Sequence, residues 1–234
     1  MKVWQKSWWK ILCVILVFYT IIGGFLMPVP HVEIVRETIR NMNFHVALWF
    51  AMMTILTFSV VYSIRYLRSG NQVDDDIAVE TANTGILLGV LGLATGSIWA
   101  RYTWNNGLEG GLEVWWANDV KLNMAVIAVL IYVAYIVLRG SFTDDQQRAR
   151  VSAVYNIFAY AMLIPLLYIL PRMWSSLHPG QGGNPGFNAY DLDNNLRMVF
   201  YPSIITWTLL ALWISSLRIR VKVLRRKLLE KMVA

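Results

Sequence analysis

The chain has 234 residues, of which 57% are hydrophobic and 15% charged, with a formal net charge of +7 at pH 7. That balance excludes a water-soluble globular domain, whose interior at this length could not hide so much apolar surface, and it predicts an integral membrane protein. The positive excess has no basic soluble domain to sit on, so it marks loops facing anionic lipid on the cytoplasmic side and no nucleic-acid partner.

A bilayer core about 30 Å thick asks for roughly 20 mostly apolar residues per helix. Six segments qualify, near 11–27, 44–64, 77–99, 122–138, 151–170 and 198–217. The expected fold is therefore all-α, a single integral membrane domain over 1–234 with six transmembrane helices. The first segment follows Lys2, Lys6 and Lys10 as a signal peptide would. Its apolar stretch exceeds the usual h-region and has no clear small-x-small cleavage site, so it is read as a retained helix. Its Cys13 is the chain's one cysteine, which leaves no disulfide framework, CxxC pair or thiolate metal site.

The acidic run Asp74–Asp76 before the third span reads as a solvated cytoplasmic loop, and Glu80 as a lone acid near the inner edge. The third span also carries Gly85, Gly89, Gly92 and Gly96, about one turn apart, a pattern that lets helices approach closely. Pro165 predicts a kink in the fifth span, while Pro202 lies in the first turns of the sixth, where a missing N–H costs less.

Of the 21 lysines and arginines, fifteen fall at the two termini and in the loops after spans two and four. The other six, Arg36, Arg40, Arg101, Lys121, Arg172 and Arg197, lie on the opposite side, so both termini are expected in the cytoplasm. The basic tail 218–234 reads as a helix continuing out of span six. It suits a lipid-surface anchor or, alternatively, docking to a cytoplasmic partner.

This orientation puts all three histidines, and five of the eleven tryptophans, on or near the extracytoplasmic face. Trp99, Trp104, Trp115 and Trp116 fall in one loop, 99–121, with Trp174 nearby; that is more than anchoring two helix ends requires. Trp4, Trp8 and Trp9 supply a belt on the other side. His45 opens span two in "NMNFHVALW", His178 lies in the Gly- and Pro-rich loop 171–197, and His31 follows "MPVP" with no convergent partner. Two neutral imidazoles on one face can complete the coordination of a haem iron, whose other four positions the porphyrin fills. Indoles offer the flat contact a macrocycle needs, and Arg101, Lys121, Arg172 and Arg197 are at hand for its propionates. Zinc fits less well, because it wants three or four ligands at fixed geometry and the acids here are scattered.

These residues resemble the haem-handling membrane proteins of cytochrome c maturation, the CcmC type within a wider CcmC/CcsA superfamily. The shared features are six spans with inside termini, a histidine opening span two, another between spans five and six, and a tryptophan-rich loop between spans three and four. The family motif there is close to W-G-x-W-W-x-W-D-x-R-L-T. Here "GSIWARYTW" leads to "VWWANDVKL", so Trp115, Trp116, Asp119 and Leu122 match the tryptophan pair, the acid and the leucine. Asn118 stands where another tryptophan is expected, Lys121 replaces the arginine, and residues around "NNGLEGG" separate Trp104 from the pair.

The resemblance implies that His45 and His178 ligate haem iron axially and that Trp115, Trp116 and Asp119 form the haem-presenting loop, with Trp99 and Trp104 in support. It implies haem b as a transient cargo, held at the outer face of the bacterial cytoplasmic (inner) membrane and passed to a periplasmic haem chaperone. The implied partners are ABC transporter-type ATPase and membrane subunits and a small single-span accessory protein, beside the membrane lipids. No GxxxxGK(S/T) sequence occurs, so the chain is expected to be a handling protein and not an enzyme, with energy supplied by a partner. Two alternatives stay open: a b-type cytochrome subunit of a membrane oxidoreductase, and a cofactor-free membrane scaffold.

Overall fold

The computed structural model describes residues 6–31, 36–104, 115–178 and 192–233. Residues 1–5, with Lys2 and Trp4, residues 105–114, with the "NNGLEGG" segment, and 179–191 of the histidine loop lie outside the described residues. The described chain is all-helical: α1 (Trp8–Leu26), a 3-10 turn (Arg36–Asn41) leading into α2 (Met42–Ser69), α3 (Gln72–Trp104), α4 (Val120–Gly140), α5 (Asp145–Ile164), α6 (Leu170–Met173) and α7 (Asn194–Val233). A π-helical turn, Pro165–Ile169, joins α5 to α6 at the proline where a kink is expected. With α5, that turn and α6 running on as one rod, six helices among the described residues are long and apolar enough to cross a membrane. Apolar side chains stay exposed along them, as on α1, where Ile11, Ile15, Phe18, Ile22 and Phe25 face outward. A bilayer, not protein, is the medium such faces suit.

The central helix is α2, which packs against α3, α5 and α7; α1 rests on α7, and α4 on α3 and α5. Gly70, in the left-handed region at φ 66°, ends α2, and its N–H bonds to the Tyr66 carbonyl. Asn71 then starts α3, its side chain accepting from the Val73 N–H. This link sets the register of an antiparallel hairpin. A Cβ on Gly85 would strike Leu56, on Gly89 Met52, on Gly92 Trp49 and on Gly96 His45. The two members of each pair are equidistant from the Gly70–Asn71 link, so the glycine stripe is a row of sockets for side chains of α2.

Between the helices, Asn156 on α5 donates to Ser59 (2.7 Å) and Ser63 (2.8 Å) on α2, and Ser59 donates to the Ala78 carbonyl on α3. Ser215 on α7 donates to Thr84 on α3, and the Thr20 and Thr206 hydroxyls pair α1 with α7. Such bonds satisfy groups that lipid cannot.

At the end of the bundle where α3 begins, two expectations are corrected. Asp74, Asp75 and Asp76 are not a solvated loop: all three are buried in the first turns of α3. Asp75 receives both arms of Arg139 from α4 (2.8 and 2.5 Å), and Arg65 of α2 faces Asp74 at 3.4 Å. Glu80 does not stand alone, since Arg218 and Lys222 reach it at 2.8 and 3.4 Å. Asp76 takes Arg226 and, at 3.8 Å, Lys222. The basic tail thus continues α7 as a helix, but one of its faces is a staple onto α3 and is not free for lipid or a partner. Acids at a helix start also complement its dipole, which is why α3 begins five residues before its apolar stretch. On this side Trp9 is no belt residue: it is buried edge-on to Trp213, while Trp8 is exposed.

Candidate functional site

The other end of the bundle gathers the histidines and indoles. Trp99 and Trp104 belong to the last turns of α3 and not to a loop, because the α3 ladder continues past the apolar stretch. His45, in the first turn of α2, is only 6% exposed and is walled in by that hairpin. Its Nδ1 lies 2.9 Å from the Gly92 carbonyl and 3.2 Å from the Thr95 hydroxyl. A carbonyl only accepts, so Nδ1 carries the proton and Nε2 keeps a lone pair. Gly96 makes the ring's position possible, since a Cβ there would sit 2.6 Å from the His45 Cε1.

His178, half-buried on the segment after α6, comes back over this ring, with imidazole centroids 6.4 Å apart and planes at 48°. Trp99 bridges the two, 6.3 Å from His45 and 6.4 Å, edge-on, from His178. Its indole N–H donates to Thr38 (3.1 Å), which fixes the ring against the 3-10 turn. Trp49, one turn after His45, adds an edge-on wall at 6.3 Å. The two histidines therefore meet, whereas His31 lies exposed after α1.

Asp119 is buried at the N-cap of α4, where Oδ1 accepts from the Lys121 N–H at 2.8 Å. The same carboxylate accepts from the Ser176 hydroxyl (2.9 Å) and the Leu177 N–H (2.9 Å). Its partners are thus protein groups of the histidine segment. Trp115 is 65% and Trp116 40% exposed, and with Trp174, Met173 and Leu177 they make an apolar, aromatic rim beside the histidines' end of the bundle. The guanidinium of Arg101 stacks 3.9 Å over Trp115, and Trp116 donates to Asn123 (3.0 Å).

The cations divide. Arg172 is exposed at the rim, and Arg101 is held on Trp115. Lys121 points its ammonium at the Leu167 carbonyl inside the π turn and lies 5.6 Å over Tyr168. The π turn loosens the regular ladder there, so a carbonyl is available to a side-chain donor. Trp49, Gly92, Thr95 and Gly96 were not singled out as site residues from the sequence. The signals present were the four-residue step from His45 to Trp49 and the glycine stripe that faces them.

Fold and site together define a class: a membrane protein with six apolar helices among the described residues, two neighbouring imidazoles, an indole beside both and an aromatic rim at one end. Residues 2–234 match the family described as "Heme exporter protein C" (CcmC), and the chain belongs to that family. It is 26% identical over 192 residues to "Heme exporter protein C" of Bradyrhizobium diazoefficiens, covering 81% of this chain and 68% of the relative. It is 26% identical over 102 residues to the protein of that name from Haemophilus influenzae, covering 44% of this chain and 38% of the relative. Similarity to "Cytochrome c biogenesis protein CcsA" of Prochlorococcus marinus reaches 28% over 161 residues, 65% of this chain and 48% of the relative.

Proposed function

We propose that this protein binds haem at the extracytoplasmic face of the bacterial cytoplasmic membrane, with His45 and His178 as axial ligands, and delivers it to a periplasmic haem chaperone for cytochrome c biogenesis. The observation that carries this reading is the pair of imidazoles 6.4 Å apart beside Trp99. Two imidazoles this close could each offer one nitrogen to a single haem iron. A His45 with Nδ1–H on a backbone carbonyl and Nε2 open has the second-shell arrangement common to metal-bound imidazoles. The relatives' printed names, heme exporter and cytochrome c biogenesis protein, support haem as the cargo.

Haem supplies the iron and the macrocycle; the chain's residues hold and present it. His45 is helix-borne and tethered through Nδ1 to the Gly92 carbonyl, so it is the retained ligand. His178, on a segment between helices, is the ligand that lets go when haem is passed on. Trp115 and Trp116 are the face shared by haem and chaperone, and Arg172 and Arg101 lie at the rim where propionates would emerge. The excess of Lys and Arg at the α3-start end supports a cytoplasmic position for that end and for both termini. The protein acts by handling, with an ABC-type ATPase, its membrane subunit and a small single-span protein as partners.

Haem content of detergent-purified wild type, His45→Ala and His178→Ala tests this reading. Both variants should retain less haem than wild type. Equal haem content and identical spectra in all three would end it.

A further inference from the structure

The carboxylate of Asp119 does more than cap α4. Oδ1 takes the Lys121 N–H and the Ser176 hydroxyl, and Oδ2 takes the Leu177 N–H. The Ser176 oxygen in turn accepts from the backbone N–H of His178 at 3.1 Å. A continuous chain of hydrogen bonds therefore runs from the acid of the tryptophan-rich segment to the main chain of His178. Asp119 is 6% exposed, so these bonds compete with little water and fix geometry strongly. Two covalently distant segments, 115–119 before α4 and 174–178 after α6, meet here.

We infer that Asp119, through Ser176, is a positioning residue: a latch that holds His178 within reach of the shared metal and ties its release to movement of the Trp115–Trp116 segment. The latch rests on the axial role given to His178 above. Trp115 and Trp116 are exposed and lie four and three residues from the latch. A partner that presses on them displaces the carboxylate, and His178 loses the anchor of its main chain. Asp119 spends its carboxylate oxygens on protein donors, which separates its role from that of the indoles.

The variant that isolates the latch is Asp119→Asn. Asparagine caps helices as well as aspartate does, so Lys121 keeps its acceptor. The amide –NH2, however, meets the Leu177 N–H donor to donor, and that arm opens. Hydrogen exchange of the haem-free protein reads the latch directly. In wild type the Leu177 and His178 amides should be protected; Asp119→Asn should speed exchange of the Leu177 amide, and Ser176→Ala that of the His178 amide, by roughly tenfold or more. Ser176→Thr, which keeps the hydroxyl, should behave as wild type, and Asp119→Asn should remain folded with a single cooperative thermal transition.

In haem-loaded protein the Asp119→Asn spectrum should shift toward that of His178→Ala, and added imidazole should restore it. Unchanged exchange in Asp119→Asn overturns the latch whatever the haem does. Faster exchange with an unaltered haem spectrum overturns its positioning role. If His178→Ala itself carries the wild-type spectrum, the axial reading of His178 fails, and the positioning role fails with it even if exchange accelerates.

Discussion

Substituting Gly96 by alanine places a methyl carbon 2.6 Å from Cε1 and 3.2 Å from Nδ1 of His45. Carbon atoms settle at about 3.5–4.0 Å, so the ring must retreat by about 1 Å. It has little room to do so, because Nδ1 is tied to the Gly92 carbonyl at 2.9 Å and the indoles of Trp49 and Trp99 flank it. A retreat of that size breaks the bond to Gly92, a loss of about 1 kcal/mol, and overpacking adds a strain of about 1–3 kcal/mol. If about 1–3 kcal/mol of this falls on the haem-binding geometry, affinity drops roughly fivefold to a hundredfold. Titration of haem into purified Gly96→Ala, followed in the Soret band, measures it. The control is Gly85→Ala, whose Cβ strikes Leu56 at 2.5 Å, an equal steric insult on the same stripe but away from the histidines. That variant should lower the thermal midpoint and leave the affinity of the folded fraction unchanged. Wild-type affinity in Gly96→Ala, or an equal loss in both variants, would refute the reasoning.

Removing Arg139 with alanine strands the buried Asp75 carboxylate, and leaving one partner of a buried pair uncompensated costs about 3–5 kcal/mol. A fall in the thermal midpoint in detergent with the histidine site still able to take haem is expected; an unchanged midpoint would contradict the staple. Lys121→Met removes the donor to the Leu167 carbonyl, so exchange of the 165–173 amides should rise while haem binding changes less than in either histidine variant. A loss of haem as large as that in His178→Ala would return Lys121 to the propionates. Changing Trp115 and Trp116 together to alanine should weaken capture of the haem-loaded chaperone, read by co-purification, without loss of fold, since both are exposed. Undiminished capture would remove them from the shared face.

Six apolar stretches were enough to read the helices, because lipid demands length and hydrophobicity before anything else. The glycine stripe was legible as a close-approach surface. Its sockets were not, since which side chain meets which glycine depends on the Gly70–Asn71 link and on α2 folding back antiparallel. Asp74–Asp76 misled because an acidic run between spans resembles a solvated loop; its partners Arg139 and Arg226 lie 64 and 150 residues away along the chain. Lys121 and Asp119 were visible as members of a motif, yet each turns toward a group no local pattern announces, the Leu167 carbonyl and the Ser176–Leu177 turn. His45 and His178 could be named as candidates from their settings alone, but their meeting beside Trp99 is a property of the packed bundle.

Low-temperature electron paramagnetic resonance of ferric haem bound to the wild-type protein reports the axial ligands directly. The account predicts a low-spin, paired-imidazole signal that turns high-spin in both His45→Ala and His178→Ala and returns when imidazole is added. A high-spin wild type, or a low-spin signal that survives both substitutions, would contradict it.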